Sequence, residues 1–337
     1  MTTLTTLPPL PMPFSYLYSM IHHLSRHQLN YRHQLSQEQI DVFLGEQEAA
    51  ELPGDKALTL KKLKSFLEVT DALREAGIGF IPLKGFVLSQ KLYGDPSFRF
   101  TGDADLLVKP GDMEKAIRLL QEIGYRPALY PWPAEPLKAQ KLMRLRNQFA
   151  LENPKSGLDV ELHWRLLYYP VLTHGEMSRI VSKNLDTITL HGRSFQVLNR
   201  ELDLLFLLIH GGMHGWRRLK WLVDVHEIAR QKLFDPQRFI LLVETFRAQR
   251  LLGLYNEVVK HWFDAWYPLP GPPKTKPFLV KTALEKIASD EEGEWHNLPG
   301  LWRYFRFVLT AFPGLCYKCR IISYAWRSLW ISGAKPL

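Results

Sequence analysis

Two pairs of acidic residues stand at a spacing that suits metal-assisted chemistry. Asp103 and Asp105 lie in Thr101-Gly102-Asp103-Ala104-Asp105-Leu106-Leu107-Val108. Asp159 and Glu161 lie in Leu158-Asp159-Val160-Glu161-Leu162-His163-Trp164. Both segments alternate as strands do, and a strand repeats every two residues, so each pair shares one face. Carboxylates side by side repel one another, and folding alone gives no reason to place them there. A divalent cation resolves the repulsion, and Mg²⁺, which prefers oxygen, is commonly held by one or two carboxylates together with substrate phosphates. If the second strand lies beside the first, three acidic groups converge in the layout of phosphoryl or nucleotidyl transfer. Glu161 is the first choice for the third carboxylate and Asp159 its competitor.

Leu83-Lys84-Gly85 precedes these segments at a predicted strand-to-helix junction. Amides at a helix N-terminus attract anions, glycine permits close approach, and Lys84 adds a charge. Arg99 stands just before the first acidic pair, placed either to neutralise phosphates or to pair with Asp95 or Asp103. His163 follows Glu161 by two residues, either to orient it or to pack in the core.

These residues carry a resemblance. The run KG-x₇-Y-x₅-R-x₃-DADLLV, then VELHWRL, then His210-Gly211-Gly212-Met213-His214-Gly215-Trp216 and Leu219-Lys220-Trp221-Leu222-Val223-Asp224 resembles the uncharacterised bacterial nucleotidyltransferases of the DNA polymerase β-like superfamily. It covers roughly 58–230, about half the chain. The two-aspartate motif combined with Leu-His-Trp is fairly specific; the two aspartates alone are common. The resemblance implies a small mixed sheet with helices packed on it. It places the first-motif aspartates on Asp103 and Asp105 and the third carboxylate on Glu161, which would also serve as general base. Lys84, Gly85, Arg99 and His163 would bind the nucleotide. The superfamily's usual Gly-Ser turn is replaced here by Lys84-Gly85-Phe86, without the serine. The implied reaction transfers a nucleoside monophosphate from an NTP to an acceptor hydroxyl on a small molecule, peptide or protein, with Mg²⁺ as cofactor. Two alternatives are a binding or regulatory protein of the same fold without turnover, and a transferase acting on nucleic acid.

The elements that must position these residues follow from periodicity and punctuation. Ser36-Gln37-Glu38-Gln39 has the form of a capping box for a helix from about Gln37. Leu58 to about Gly77 predicts an amphipathic helix with Leu60, Leu63, Leu67 and Leu73 inward and Gly77 ending it. Strands are expected at 78–83, 103–109 and 125–130, with hairpins over 148–164 and 185–198. Helices are expected from Gly85 to about Tyr93 and from Met113 to about Ile123, the latter capped by Asp112. From Asn199 onward the pattern is helical, at about 200–214, 218–232, 236–247 and 250–266. A loop follows with five prolines in 268–277. The expected fold class is α/β (α+β): an N-terminal helical segment (1–75), a nucleotidyltransferase-like α/β core (76–198) and a C-terminal helical domain (199–337).

Composition sets the outer limits. The 337 residues include 43 Lys+Arg and 34 Asp+Glu, a net charge of +9, with 46% hydrophobic and 23% charged. A chain of this length and balance buries a core, which excludes disordered, collagen-like and bare coiled-coil chains. Two cysteines exclude a disulfide-rich scaffold. Cys316 and Cys319 form a lone CxxC without a second pair for zinc. His210 and His214 are four apart, but Gly211 stands where a zinc-protease helix needs glutamate. No run of 18 apolar residues appears, and prolines at 8, 9, 11 and 13 interrupt the start, so a cytoplasmic protein is expected. Residues 301–337 hold six Lys/Arg, no Asp or Glu and nine aromatics. This tail suits core packing, a partner or peripheral contact with an anionic membrane. No nucleic-acid module is visible, and nucleic acid is not the favoured partner.

Overall fold

The computed structural model describes residues 28–44, 53–168, 171–263, 266–272, 275–289, 298–315 and 317–323. Helix α1 (Gln37–Leu44) and helix α2 (Pro53–Glu75) precede strand β1 (Phe80–Pro82), α3 (Phe86–Tyr93), β2 (Asp103–Val108), α4 (Met113–Glu122), β3 (Arg126–Pro127), α5 (Pro136–Leu145), β4 (Gln148–Glu152) and β5 (Asp159–His163). Helix α6 (His174–Lys183) leads into a hairpin, β6 (Leu185–Leu190) and β7 (Arg193–Leu198). Helices α7 (Arg200–Met213), α8 (Leu219–Gln231), α9 (Pro236–Thr245), α10 (Gln249–Trp262), α11 (Pro277–Ala288) and α12 (Leu298–Ala311) complete the order. The fold is mixed α/β, as expected.

The five strands form one sheet in the order β1-β2-β5-β4-β3. Strands β2 and β5 are parallel neighbours; the other pairs are antiparallel. Alternation decides which face is covered. Ala104, Leu106, Val108, Val160 and Leu162 point into a core built with Leu63, Phe66, Val69 and Leu73 of α2 and Met113, Ala116, Ile117 and Leu120 of α4. Each such Leu or Phe removed from water contributes about 1.5–3 kcal/mol. The intervening residues, the acidic ones among them, are left on the opposite face. A second core joins α7–α12 with Leu88 and Leu92 of α3, and Leu107 of β2 packs against it. The helical half thus closes over the far end of the sheet's polar face.

Several local features differ from expectation for identifiable reasons. Leu60 is 49% exposed, so Leu63, Phe66, Val69 and Leu73 carry the buried face of α2. Of 125–130 only Arg126 and Pro127 pair in the sheet. Asp112 ends a 3₁₀ turn and makes no side-chain cap. Helices α5 and α6 were not anticipated. Yet Pro136 occupies a first-turn position, and Thr173 with Glu176 forms a complete capping box. The Ser36–Gln39 box is present, with Gln39 N donating to Ser36 Oγ at 3.0 Å and Ser36 N to Gln39 Oε1 at 3.1 Å. Residues 1–27, Cys316 and 324–337 lie outside the described residues, and with them the proline-interrupted start and 15 of the 37 residues of the basic tail. Among the described residues no helix is long and apolar enough to cross a membrane.

Helix α7 starts at a buried cap. Asn199 Oδ1 accepts from Leu202 N at 3.0 Å while its Nδ2 donates to Asn184 Oδ1 at 3.2 Å. Asn199→Ala is expected to lower unfolding free energy in urea by about 1–2 kcal/mol. A loss below about 0.3 kcal/mol would show that this cap contributes nothing.

Candidate functional site

The parallel register sets the acidic residues opposite one another: Asp103 beside Asp159, Asp105 beside Glu161, and Leu107 beside His163. Asp105 is the most enclosed, at 3% exposure. Lys84 Nζ lies 3.0 Å from its Oδ2, and His163 Nε2 lies 3.0 Å from its Oδ1 and 3.5 Å from Glu161 Oε2. Gln148 on β4 donates to Glu161 Oε2 at 2.5 Å, and Asn147 Nδ2 faces His163 Nδ1 at 3.4 Å. Glu161 is half-buried and Asp159 exposed.

The electrostatics follow from this crowding. Burial alone would raise the Asp105 pKa, but the Lys84 charge and the His163 hydrogen bond outweigh it and hold the carboxyl far below its usual range. Burial alone would depress His163, but its hydrogen bonds to Asp105 and Glu161 win and raise it to about 9. Lys84 is raised in the same way, burial being overcome by Asp105, Asp103 and Glu161. Asp159 moves upward, through desolvation and repulsion from Glu152 and Asp103. Ligand atoms of Asp105, Glu161 and His163 lie within 4.8 Å of one another, close enough to share one metal ion. Asp105 Oδ2 is buried and engaged by the Lys84 ammonium at 3.0 Å. Two carboxylates beside an imidazole are a donor set that suits a divalent cation.

Asp105, Glu161 and His163 come together. Asp103 lies one pleat away along β2, beside Asp159 and outside that group of three. Lys84 directs its ammonium to Asp105. Gly85 has φ of 68°, and a Cβ there would stand 3.2 Å from Thr101 Cγ2, so the turn both needs a left-handed residue and packs against the entry to β2. Arg99 pairs with neither Asp95 nor Asp103. It is buried and bidentate to Asp224 on α8, Nε to Oδ1 and Nη2 to Oδ2, both at 2.7 Å. Asp95 caps its own turn instead, accepting from Ser97 N and Oγ at 2.7 Å.

The wall opposite the sheet comes from the end of α7 and the start of α8. The ring centroids of His210 and His214 are 4.8 Å apart, and each is 5.0 Å from Trp221. His210 is held neutral, well below its ordinary value, first by burial and then by the Lys84 charge. Lys84 acting on His210 ties this wall to the acidic cluster. Arg217 and Arg218 stack over Trp221, and Lys220 stands over Phe100. Asn147, Gln148 and Lys62 were not singled out by sequence. Gln148 alone carried a signal, lying on the strand predicted to pair with that of Glu161. Cys319 is free and exposed.

No curated protein matches the chain. The family described as uncharacterised nucleotidyltransferase matches residues 54–264, well over half of the sequence and the whole span from α2 through α10. That span contains both acidic strands, the Lys84-Gly85 turn and the opposing helical wall. The chain therefore belongs to the uncharacterised nucleotidyltransferase family.

Proposed function

We propose that the protein is a Mg²⁺-dependent nucleotidyltransferase that moves a nucleoside monophosphate from an NTP to an acceptor hydroxyl. The observation that carries this is the Asp105–Glu161 pairing on adjacent parallel strands, with His163 beside both, inside the region matched to the family. Asp105 and Glu161 would hold the cation, joined by His163 once its Nε2 has given up the proton it directs at them, with Asp103 beside them. When bound, the cation neutralises triphosphate charge and makes a coordinated hydroxyl more acidic. Glu161, half-buried and oriented by Gln148, is assigned as acceptor of the hydroxyl proton. The hydroxyl oxygen then forms a bond to the α-phosphorus as the bond to the bridging oxygen breaks, and pyrophosphate leaves with that electron pair. Lys84 holds Asp105 ionised. The Gly85 turn lets substrate approach the start of β2, and Arg99 positions the loop before it. In this scheme residues 76–198 carry the chemistry, and the end of α7 and start of α8, within 199–337, supply the facing wall.

The test is direct. The purified chain is incubated with each α-labelled NTP, Mg²⁺ and a panel of small-molecule, peptide, protein and RNA acceptors. Cation-dependent pyrophosphate release with label on a non-nucleic acceptor is expected, and chelation abolishes both. NTP binding without pyrophosphate release across the panel would leave a binding protein. Label on RNA alone would move the assignment to nucleic-acid modification.

A further inference from the structure

Lys220 lies on α8, four residues before Asp224 and so on the same helix face. It is 6% exposed, and its ammonium stands 5.3 Å from the centroid of the Phe100 ring. Among the described residues that ammonium makes no hydrogen bond and no ion pair. Lys62, reaching from α2, stands over the same ring at 5.5 Å and donates to the Thr101 carbonyl at 3.5 Å. Two lysines from separate helices thus converge on residues 100–103, where β2 begins and where Asp103 and Asp159 sit side by side. A buried ammonium facing only a ring is costly, because the ring returns a fraction of the lost hydration. The cost falls when an anion arrives.

We infer that Lys220, with Lys62, is the seat of the β- and γ-phosphates, at the Asp103 end of the carboxylate row rather than at the Lys84-Gly85 turn. This rests on the proposed function, whose NTP it places. Lys84 and Arg99 are each engaged by a carboxylate, Asp105 and Asp224, within hydrogen-bonding distance. Lys220 has no such commitment. Burial first, then the nearby Arg99, push its pKa down to about 7, while Asp103 opposes and Arg218 and Lys84 add to the depression. Polyphosphate is the ligand chemistry that relieves such a cluster. The i, i+4 relation to Asp224 gives Lys220 a fixed platform, since Asp224 anchors α8 to the loop that carries Phe100.

Calorimetric titration of the full chain with inorganic tripolyphosphate, ATP and adenosine, at fixed Mg²⁺, tests the assignment. Lys220→Met should weaken tripolyphosphate and ATP binding by about 30-fold or more. Lys62→Met should weaken both by a smaller factor. Lys220→Met should also raise the melting temperature of the ligand-free protein, because an apolar side chain replaces an unpaired buried charge, and should lose the further rise that tripolyphosphate produces in wild type. Unchanged affinity in Lys220→Met, or a lowered ligand-free melting temperature, would overturn the inference by marking Lys220 as structural. Failure of the proposed function reads differently: wild type would release no pyrophosphate whether or not tripolyphosphate binds.

Discussion

Asp105→Asn is expected to lower the rate of pyrophosphate release by about 10³-fold or more, roughly 4 kcal/mol of lost transition-state stabilisation. The carboxylate sits where three separate requirements meet. It faces Glu161 across the parallel register, receives His163, and neutralises Lys84. An amide keeps the shape and loses the charge, so a cation loses its most buried ligand while Lys84 and His163 lose their counter-charge. Two controls separate chemistry from collapse. Near-ultraviolet circular dichroism should show an intact fold. The imidazole of His163, followed by NMR in chelator-treated protein, should titrate near pH 9 in wild type and markedly lower in Asp105→Asn, because the hydrogen bond and charge of Asp105 that raise it most are gone. A folded pKa raised above the unfolded value of about 6.5 contributes stability that is complete below that value and is lost as pH rises through about 9. Chelated wild type should therefore weaken between these limits, and Asp105→Asn should show a flatter profile. Retained pyrophosphate release in Asp105→Asn would remove the carboxylate row from the chemistry.

Alternation made strands β2 and β5, and the shared face of their carboxylates, legible from sequence, because a period of two is local information. Pairing is not local. That β5 lies parallel to β2 with Asp105 opposite Glu161 is a tertiary fact, and the same alternation is compatible with a slip that would set Asp105 opposite Asp159. His163 shows the difference. Its position two residues past Glu161 was visible, but its role between two carboxylates depends on the register. Arg99 shows it more sharply: Asp95 and Asp103 are its neighbours in sequence, whereas its partner Asp224 lies 125 residues on. The missed helices α5 and α6 are short surface elements whose start signals, Pro136 and the Thr173–Glu176 box, were present but lacked a long apolar period beside them.

The Arg99–Asp224 pair is the second place where a large effect is expected, this time on the fold. Asp224 is 0% and Arg99 2% exposed, and two parallel hydrogen bonds of 2.7 Å join them. The pair is also held from behind, since Arg99 N donates to Ser89 Oγ at 3.0 Å and its Nη1 to the Phe100 carbonyl at 3.2 Å. Removing one member strands the other as a buried, uncompensated charge, so Asp224→Ala should lower unfolding free energy by about 3–5 kcal/mol in urea denaturation. Replacing both, as Arg99→Met with Asp224→Leu, should recover most of that loss, because an apolar pair of similar volume avoids the desolvation cost altogether. A loss below about 1 kcal/mol in Asp224→Ala would mean that water reaches the pair and that it does not clamp the helical half to the sheet. Recovery in the double variant should extend to stability but not fully to turnover. The bidentate pair fixes the angle at which α8 meets the start of β2, and Lys220 rides one turn away on that helix. A well-packed apolar substitute holds the two elements together without specifying that angle, so stability and phosphate binding should separate in the double variant.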